Sequence, residues 1–318
     1  MIKIFSLLKG KLNEITPEEV GKDRKATYWI DLSCSNVDEI KTIRKIFHIH
    51  PTTEEDILSN QTRTKYEEFE DNTAIIFHGI KGLKAVNIKT YNLSFILGKN
   101  YLITSHFEAN ENIEYLINNP RKLEQLLKRG AGYVFHHLLD KETDKCIQIK
   151  GIVFEEFKKL ERNFINNPGK EVLENLFEKE LTILEMRQVM ESLTDLCLSL
   201  TKPTDNYLSN DLLPYLRDIY DHAFKTTESL RSMLGRINGM RNAYQSIISN
   251  KLNETMRTLT VIMSIMMPLT IITGFYGMNV KLPFQGNADI WIWVIVFMIG
   301  ISIIMYFLFK KLNIKIKD

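Results

Sequence analysis

Two long uncharged stretches toward the C-terminal end constrain this chain more than any other feature. No charged residue occurs from Leu259 to Phe275, and none from Ile290 to Phe309. At 1.5 Å rise per residue the first run extends ~26 Å, slightly short of a ~30 Å hydrocarbon core, and polar flanks can lengthen it as helix. The second is about 20 residues long, which is what a spanning helix requires. Trp291 and Trp293 at its start and Tyr306 near its end sit where aromatic side chains gather at the two membrane interfaces. A buried soluble helix is the competing reading for each run, and length without charge argues against it.

Two spans put both ends of the chain on one side. Lys310, Lys311, Lys315 and Lys317 crowd the exit of the second span, while the loop between the spans offers only Lys281 and Asp289. That excess of lysine places both termini in the cytoplasm. The opening Met1-Ile2-Lys3-Ile4-Phe5 has no apolar signal-peptide region. The expectation is a multi-pass protein of the plasma (inner) membrane, held in the bilayer by its C-terminal part. Between the spans lies Gly274-Phe275-Tyr276-Gly277-Met278-Asn279. A polar amide on a short glycine-containing turn, where a helix leaves the membrane, suits the mouth of a pore.

The net charge of +2 gives no global reason to expect nucleic acid as a partner. Cys34, Cys146 and Cys197 lie far apart with no CxxC pair, which argues against a structural zinc site or a disulfide framework. His136 and His137 are adjacent on a helical stretch, so they face different ways and shared metal ligation is not expected.

Residues 1–108 alternate β-type and helical runs. Thr27–Leu32, Ala74–Ile80, Asn92–Leu97 and Tyr101–Ser105 read as strands. Val37–Phe47 reads as a helix with Ile40, Ile43 and Phe47 on one face and Asn36 as its N-cap. A short helix is expected after Pro51, capped by Thr52 or Thr53. Together these imply an α/β domain. From 109 to 257 helical spacing takes over, interrupted by loop clusters at Asn166-Asn167-Pro168-Gly169 and Lys202–Asn206. Leu173, Leu176, Phe177, Leu181 and Leu184 follow the spacing of one buried helix face. No proline separates Pro214 from Pro268, so a single helix of ~95 Å is expected from about Asp211 through the first span to Phe275. Such a helix needs partners, either other helices of its own chain or copies of itself. The fold class is therefore an α+β membrane protein: an N-terminal α/β domain, a helical stalk, two transmembrane helices (258–309, external loop 277–289) and a basic tail (310–318).

Tyr276-Gly277-Met278-Asn279 following Met267-Pro268-Leu269-Thr270 resembles the CorA family of divalent-cation channels, whose signature is Gly-Met-Asn at the end of the first of two C-terminal spans. Pro214-Tyr215-Leu216-Arg217-Asp218-Ile219-Tyr220-Asp221-His222 is similar to another family stretch. So are Asn253-Glu254-Thr255-Met256, Trp29-Ile30-Asp31, and His50-Pro51 followed by Glu55-Asp56. The resemblance covers nearly the whole chain. It implies a homopentameric funnel in which five first spans line one pore.

Under that resemblance Asn279, shaped by Gly277 and Met278, forms a ring of carboxamide oxygens at the outer mouth. Mg2+ gives up its water reluctantly, and neutral amides can bond to its water shell without stripping it. Asn253, Met256, Leu259, Met263, Met267 and Thr270 recur at three- or four-residue spacing and share a face. The family match puts that face on the pore, with Asn253 and Thr270 as polar waypoints and the methionines and leucine as a hydrophobic gate. Asp56 and Asp218 match positions that bind regulatory Mg2+ between subunits, with Glu55 and Asp221 as possible helpers. The acidic run Glu67–Asp71 reads as a charged surface before a strand. Two departures stand out. A position acidic in the family is Asn242 here, and the loop after Asn279 carries less acid than the family's usual one.

The function expected is passive influx of Mg2+, with Co2+ and Ni2+ as secondary ions, gated by internal Mg2+. A zinc transporter on the same scaffold, or an oligomeric membrane-tethered scaffold that conducts nothing, are the competing readings. An enzyme is not expected, since no Ser/His/Asp order, metal triad or phosphate-cradling loop occurs.

Overall fold

The computed structural model describes residues 2–22, 25–33, 37–59, 63–84, 87–202, 207–279 and 289–311. The chain divides into two compact units, residues 1–238 and 239–318. The change from strand to helix expected near 108 is a change of texture within the first unit, because the helices that follow pack back onto the sheet.

Seven strands form one sheet: β1 (Ile2–Leu8), β2 (Lys11–Ile15), β3 (Thr27–Ser33), β4 (Lys65–Glu68), β5 (Thr73–Lys84), β6 (Asn87–Leu97) and β7 (Tyr101–His106). Their spatial order is β2-β1-β3-β7-β6-β5-β4. All neighbours are antiparallel except β3 and β7, where Tyr28 to Ser33 run beside Tyr101 to His106. The four strands expected from sequence are present, β3 and β7 one residue longer than expected and β5 and β6 five residues longer. β1, β2 and β4 were not anticipated.

Side-chain alternation sends successive residues to opposite faces of this sheet. Ile30, Leu32, Ile96 and Ile103 meet Ile40, Ile43 and Phe47 of α1 (Val37–Phe47) and Ile57 of α2 (Pro51–Leu58). On the other face Phe95 meets Phe135 edge-on, ring centroids 5.1 Å apart. Helices α3 (Glu111–Ile117), α4 (Pro120–Arg129), α5 (Ala131–Asn166) and α6 (Lys170–Leu200) follow, and α4, α5 and α6 cover that second face. Trp29, Phe77, Phe95, Phe135 and Phe157 are fully buried, each contributing about 1.5–3 kcal/mol relative to exposure.

Two local expectations need correction. The N-cap of α2 is His50, whose Nδ1 accepts from the Thr52 amide, rather than Thr52 or Thr53. The Asn36 cap expected for α1, and the loop at 203–206, lie outside the described residues. On α6 the inward face runs through Leu176, Ile183, Met186, Met190 and Leu193, while Phe177, Leu181 and Leu184 are exposed. The chain carries two apolar stripes there, and spacing alone does not say which one turns inward.

The 64-residue helix α7 (Leu213–Tyr276) is continuous, with Pro268 inside it, and α8 (Ile290–Lys311) follows. Both are long and apolar enough to cross a membrane. Their apolar windows are only 6% and 0% buried, which argues against core helices of a soluble protein. Cys146 and Cys197 are buried free thiols. Cys34 lies outside the described residues.

Candidate functional site

In the second unit, α7 presents two unlike sides. Val261 is buried, and Ser264, Ile265, Pro268, Leu269 and Ile272 are half-buried, recurring three or four residues apart. Against this side stands α8: Leu269 shares an apolar hollow with Ile295 and Met298, and Ile272 shares another with Ile290, Trp293 and Val294. At 100° per residue the opposite side carries Met256, Leu259, Met263, Met267 and Thr270, while Asn253 falls at its edge, roughly 20° from Ser264. All six are exposed, Met267 at 68% and Met256 at 60%. Met256, Leu259, Met263, Met267 and Thr270 therefore lie on the side of α7 turned away from α8, with Asn253 at its edge.

Local chemistry adds to that pattern. The Thr270 hydroxyl donates to the Met266 carbonyl at 2.9 Å, and the Thr273 hydroxyl donates to the Leu269 carbonyl at 3.0 Å. Past Tyr276 the chain tightens, with the Gly277 amide donating to Thr273 (2.9 Å) and the Met278 amide to Phe275 (3.3 Å). A Cβ on Gly277 would stand 3.1 Å from the Thr273 carbonyl oxygen. That contact is tight, and a side chain here asks the turn to give by a few tenths of an ångström. Asn279 follows directly and is exposed. The loop at 280–288, with Lys281, and the tail beyond Lys311 lie outside the described residues.

In the first unit the acidic run on α2 is split three ways. Glu54 is buried and paired with Arg44 of α1. Glu55 is exposed. Asp56, with its side chain 19% exposed, is ion-paired to Lys65 of β4, whose Nζ also lies 3.2 Å from Glu67 Oε1. Burial works against the Lys65 charge, but the bonds and charges of Asp56 and Glu67 outweigh it and raise the pKa.

Asp218 is different. It lies near the start of α7 with its side chain 71% exposed, and His222 Nε2 is 3.7 Å away. Asp221 is exposed beside it. Tyr215 anchors this end of the helix: the Arg129 guanidinium lies 3.8 Å from the Tyr133 ring centroid and 5.7 Å from that of Tyr215. The His136 ring packs 5.3 Å from Tyr215. Burial lowers the His136 pKa, opposed by Asp140 and Asp218. Among the described residues no three His, Cys, Asp or Glu side chains gather to hold a metal within the chain. Asp56 and Asp218 offer hard carboxylate oxygens that suit Mg2+, but neither belongs to a complete ligand set inside one chain.

Two features prominent in sequence are structural. Trp29 donates from Nε1 to Thr104 Oγ1 (3.2 Å), which donates to Asp31 Oδ1 (2.6 Å). His106 Nε2 faces Asp31 Oδ2 at 3.4 Å. This buried network ties β3 to β7. The His50 ring stacks on Phe69 at 4.7 Å, fixing the entry to α2. Lys65 was not anticipated. It lies on an unrecognised edge strand, and no periodicity brings it to Asp56.

A family model described as CorA-like Mg2+ transporter protein matches residues 24–311. The cobalt/magnesium transport protein CorA of Thermotoga maritima is 28% identical over 91% of this chain and 84% of its own length. The complete structure of the CorA magnesium transporter from Methanocaldococcus jannaschii superposes with a TM-score of 0.80 at 21% identity, covering 98% of this chain and 97% of that one. The ZntB cytoplasmic domain from Vibrio parahaemolyticus shares the fold over 78% of this chain and 98% of its own, with a TM-score of 0.61 at 10% identity. With the two apolar helices and a match of nearly full length, this membrane-bound chain belongs to the family of CorA-like Mg2+ transporter proteins, which are transporters and not enzymes.

Proposed function

We propose that the chain assembles as a homopentamer and conducts Mg2+ passively into the cell, with Co2+ and Ni2+ as secondary ions. The observation that carries this reading is the open side of α7, where Asn253, Met256, Leu259, Met263, Met267 and Thr270 line up and lead to the Gly277–Asn279 turn. Copies meeting on that side enclose a path that is apolar over most of its length and polar at its ends. An apolar stretch closes by dewetting. A ring of Asn279 carboxamides takes a dication with its water shell in place, consistent with the reluctance of Mg2+ to dehydrate. For a dication, 100 mV across the membrane supplies roughly 4.6 kcal/mol, enough to drive entry without ATP.

Gating by internal Mg2+ follows from Asp56 and Asp218. A cation held between Asp56 of one subunit and Asp218 of its neighbour bridges the two, so rising Mg2+ favours the closed arrangement. This reading places the soluble unit and both termini in the cytoplasm, in line with Lys310 and Lys311 at the end of α8.

The test is uptake by purified protein in liposomes under an inside-negative potential, with Mg2+ and Zn2+ offered separately. Asn279→Ala is expected to abolish Mg2+ flux. Flux that survives this change defeats the amide-ring reading, and Zn2+ uptake driven by a proton gradient in place of Mg2+ uptake favours a zinc transporter.

A further inference from the structure

Of the two acids assigned to the regulatory site, one is already neutralised within its own chain. Asp218 is widely exposed, with the His222 ring at 3.7 Å and its charge also felt by His136. Asp56 is held by the Lys65 ammonium, the two side chains being 19% and 29% exposed. A divalent cation approaching Asp56 must displace that ammonium or bind beside it, against like-charge repulsion.

Lys65 also has somewhere to go. Residues 65 and 67 lie on the same face of β4, two apart. Glu67 Oε1 is already 3.2 Å from the ammonium. Its second oxygen, Oε2, is turned away from solvent and has no hydrogen-bond partner among the described residues, although the Glu67 side chain as a whole is 40% exposed. An unsatisfied carboxylate oxygen beside a movable ammonium is a ready second seat, since buried acceptors without donors are costly. The strand is well placed for such a shift. β4 is the edge of the sheet, paired only with β5, and a side chain there swings without disturbing a second neighbour.

We propose that Lys65 is a built-in counter-cation that competes with Mg2+ for Asp56, and that Glu67 receives it when Mg2+ binds, so that this pair sets the concentration at which the site fills. The inference rests on the reading of Asp56 as a regulatory ligand. It concerns the threshold of the response, not its existence. Cation arrival passes the ammonium from Asp56 to Glu67, and cation loss returns it. No charge is created or left unpaired in either position.

The experiment follows the thermal unfolding of purified full-length protein in detergent across a Mg2+ series, where ligand binding to the folded state raises the melting temperature. Lys65→Met keeps the apolar stem and removes the charge. It is expected to lower the Mg2+ midpoint roughly tenfold, within the usual range for coupling between two sites. Lys65→Arg keeps the charge and is expected to leave the midpoint near wild type. Glu67→Gln removes the second seat and is expected to move the midpoint the other way, to higher Mg2+. Should Lys65→Met fail to melt cooperatively, Lys65→Gln takes its place. An unmoved midpoint in Lys65→Met, while Asp56→Asn flattens the response, overturns the role of Lys65 alone. A response to Mg2+ that persists in Asp56→Asn overturns the regulatory reading of Asp56 and this inference with it.

Discussion

Glu142 of α5 is a buried acid of the first unit, and among the described residues it forms no ion pair with an ammonium or guanidinium. It is 1% exposed. Asn110 Nδ2 and Asn112 Nδ2 each donate to Oε1 at 2.8 Å, and the Tyr91 hydroxyl donates to Oε2. These bonds join β6, the N-terminus of α3 and α5. Burial, together with the Glu142 charge, pushes the Tyr91 pKa far up, so its hydroxyl stays protonated and donating. Tyr91→Phe removes one donor and keeps the ring, which is 9% exposed and well packed. A hydrogen bond to a charged group contributes about 1.5–3 kcal/mol. For a unit of this size each kcal/mol moves the melting temperature by about 2–4 °C, so a fall of about 3–12 °C is expected. Far-UV circular dichroism during heating reads it, and a double-mutant cycle with Asn112→Ala is expected to show coupling. A shift of less than ~1 °C would refute the argument, because the carboxylate would then not depend on that hydroxyl.

Three further outcomes are expected. Gly79→Ala places a Cβ 2.8 Å from Tyr91 Cζ, so it should destabilise the same region by about 1–3 kcal/mol, read by the same melt. Gly277→Ala brings a Cβ into tight contact with the Thr273 carbonyl just before Asn279, so it should lower Mg2+ uptake in liposomes and leave the melting of the first unit unchanged. The third concerns pH. Burial opposes protonation of His106, but Asp31 and the Glu108 carbonyl outweigh it and raise the pKa. Its stabilisation is therefore complete below the ordinary value of about 6.5 and is lost as pH rises through the higher folded value. His137 is opposite: burial, with Lys122 and Lys141, lowers it to about 4, so its contribution is present above about 6.5 and lost as pH falls toward 4. Melting temperatures across pH 4 to 9 should fall on both sides, and His106→Gln should remove only the alkaline limb.

The parts legible in sequence were those where one physical requirement dominates. Absence of charge marked both spans, and the spacing of Met256, Met263, Met267 and Thr270 marked the side of α7 that α8 does not cover. α1 was legible to the residue because its apolar face is unambiguous. The misses have different causes. β4 is short and charged, as suits an exposed sheet edge, and Lys65-Tyr66-Glu67-Glu68 carries no apolar alternation. β2 likewise lies at an edge, with no buried residue. On α6 a second apolar stripe, Phe177, Leu181 and Leu184, competed with the true inward one. The contact of Lys65 with Asp56 joins a strand to a helix across a loop, and nothing local in the chain announces it.

The hydroxyl of Thr270 has its hydrogen committed to the carbonyl four residues back. What it can show to anything lying against that side of the helix is oxygen alone. The orientation of this small dipole is thus decided by the backbone that carries it, before any second molecule arrives. A positively charged visitor finds electron pairs already turned outward, and a negatively charged one finds no proton to accept.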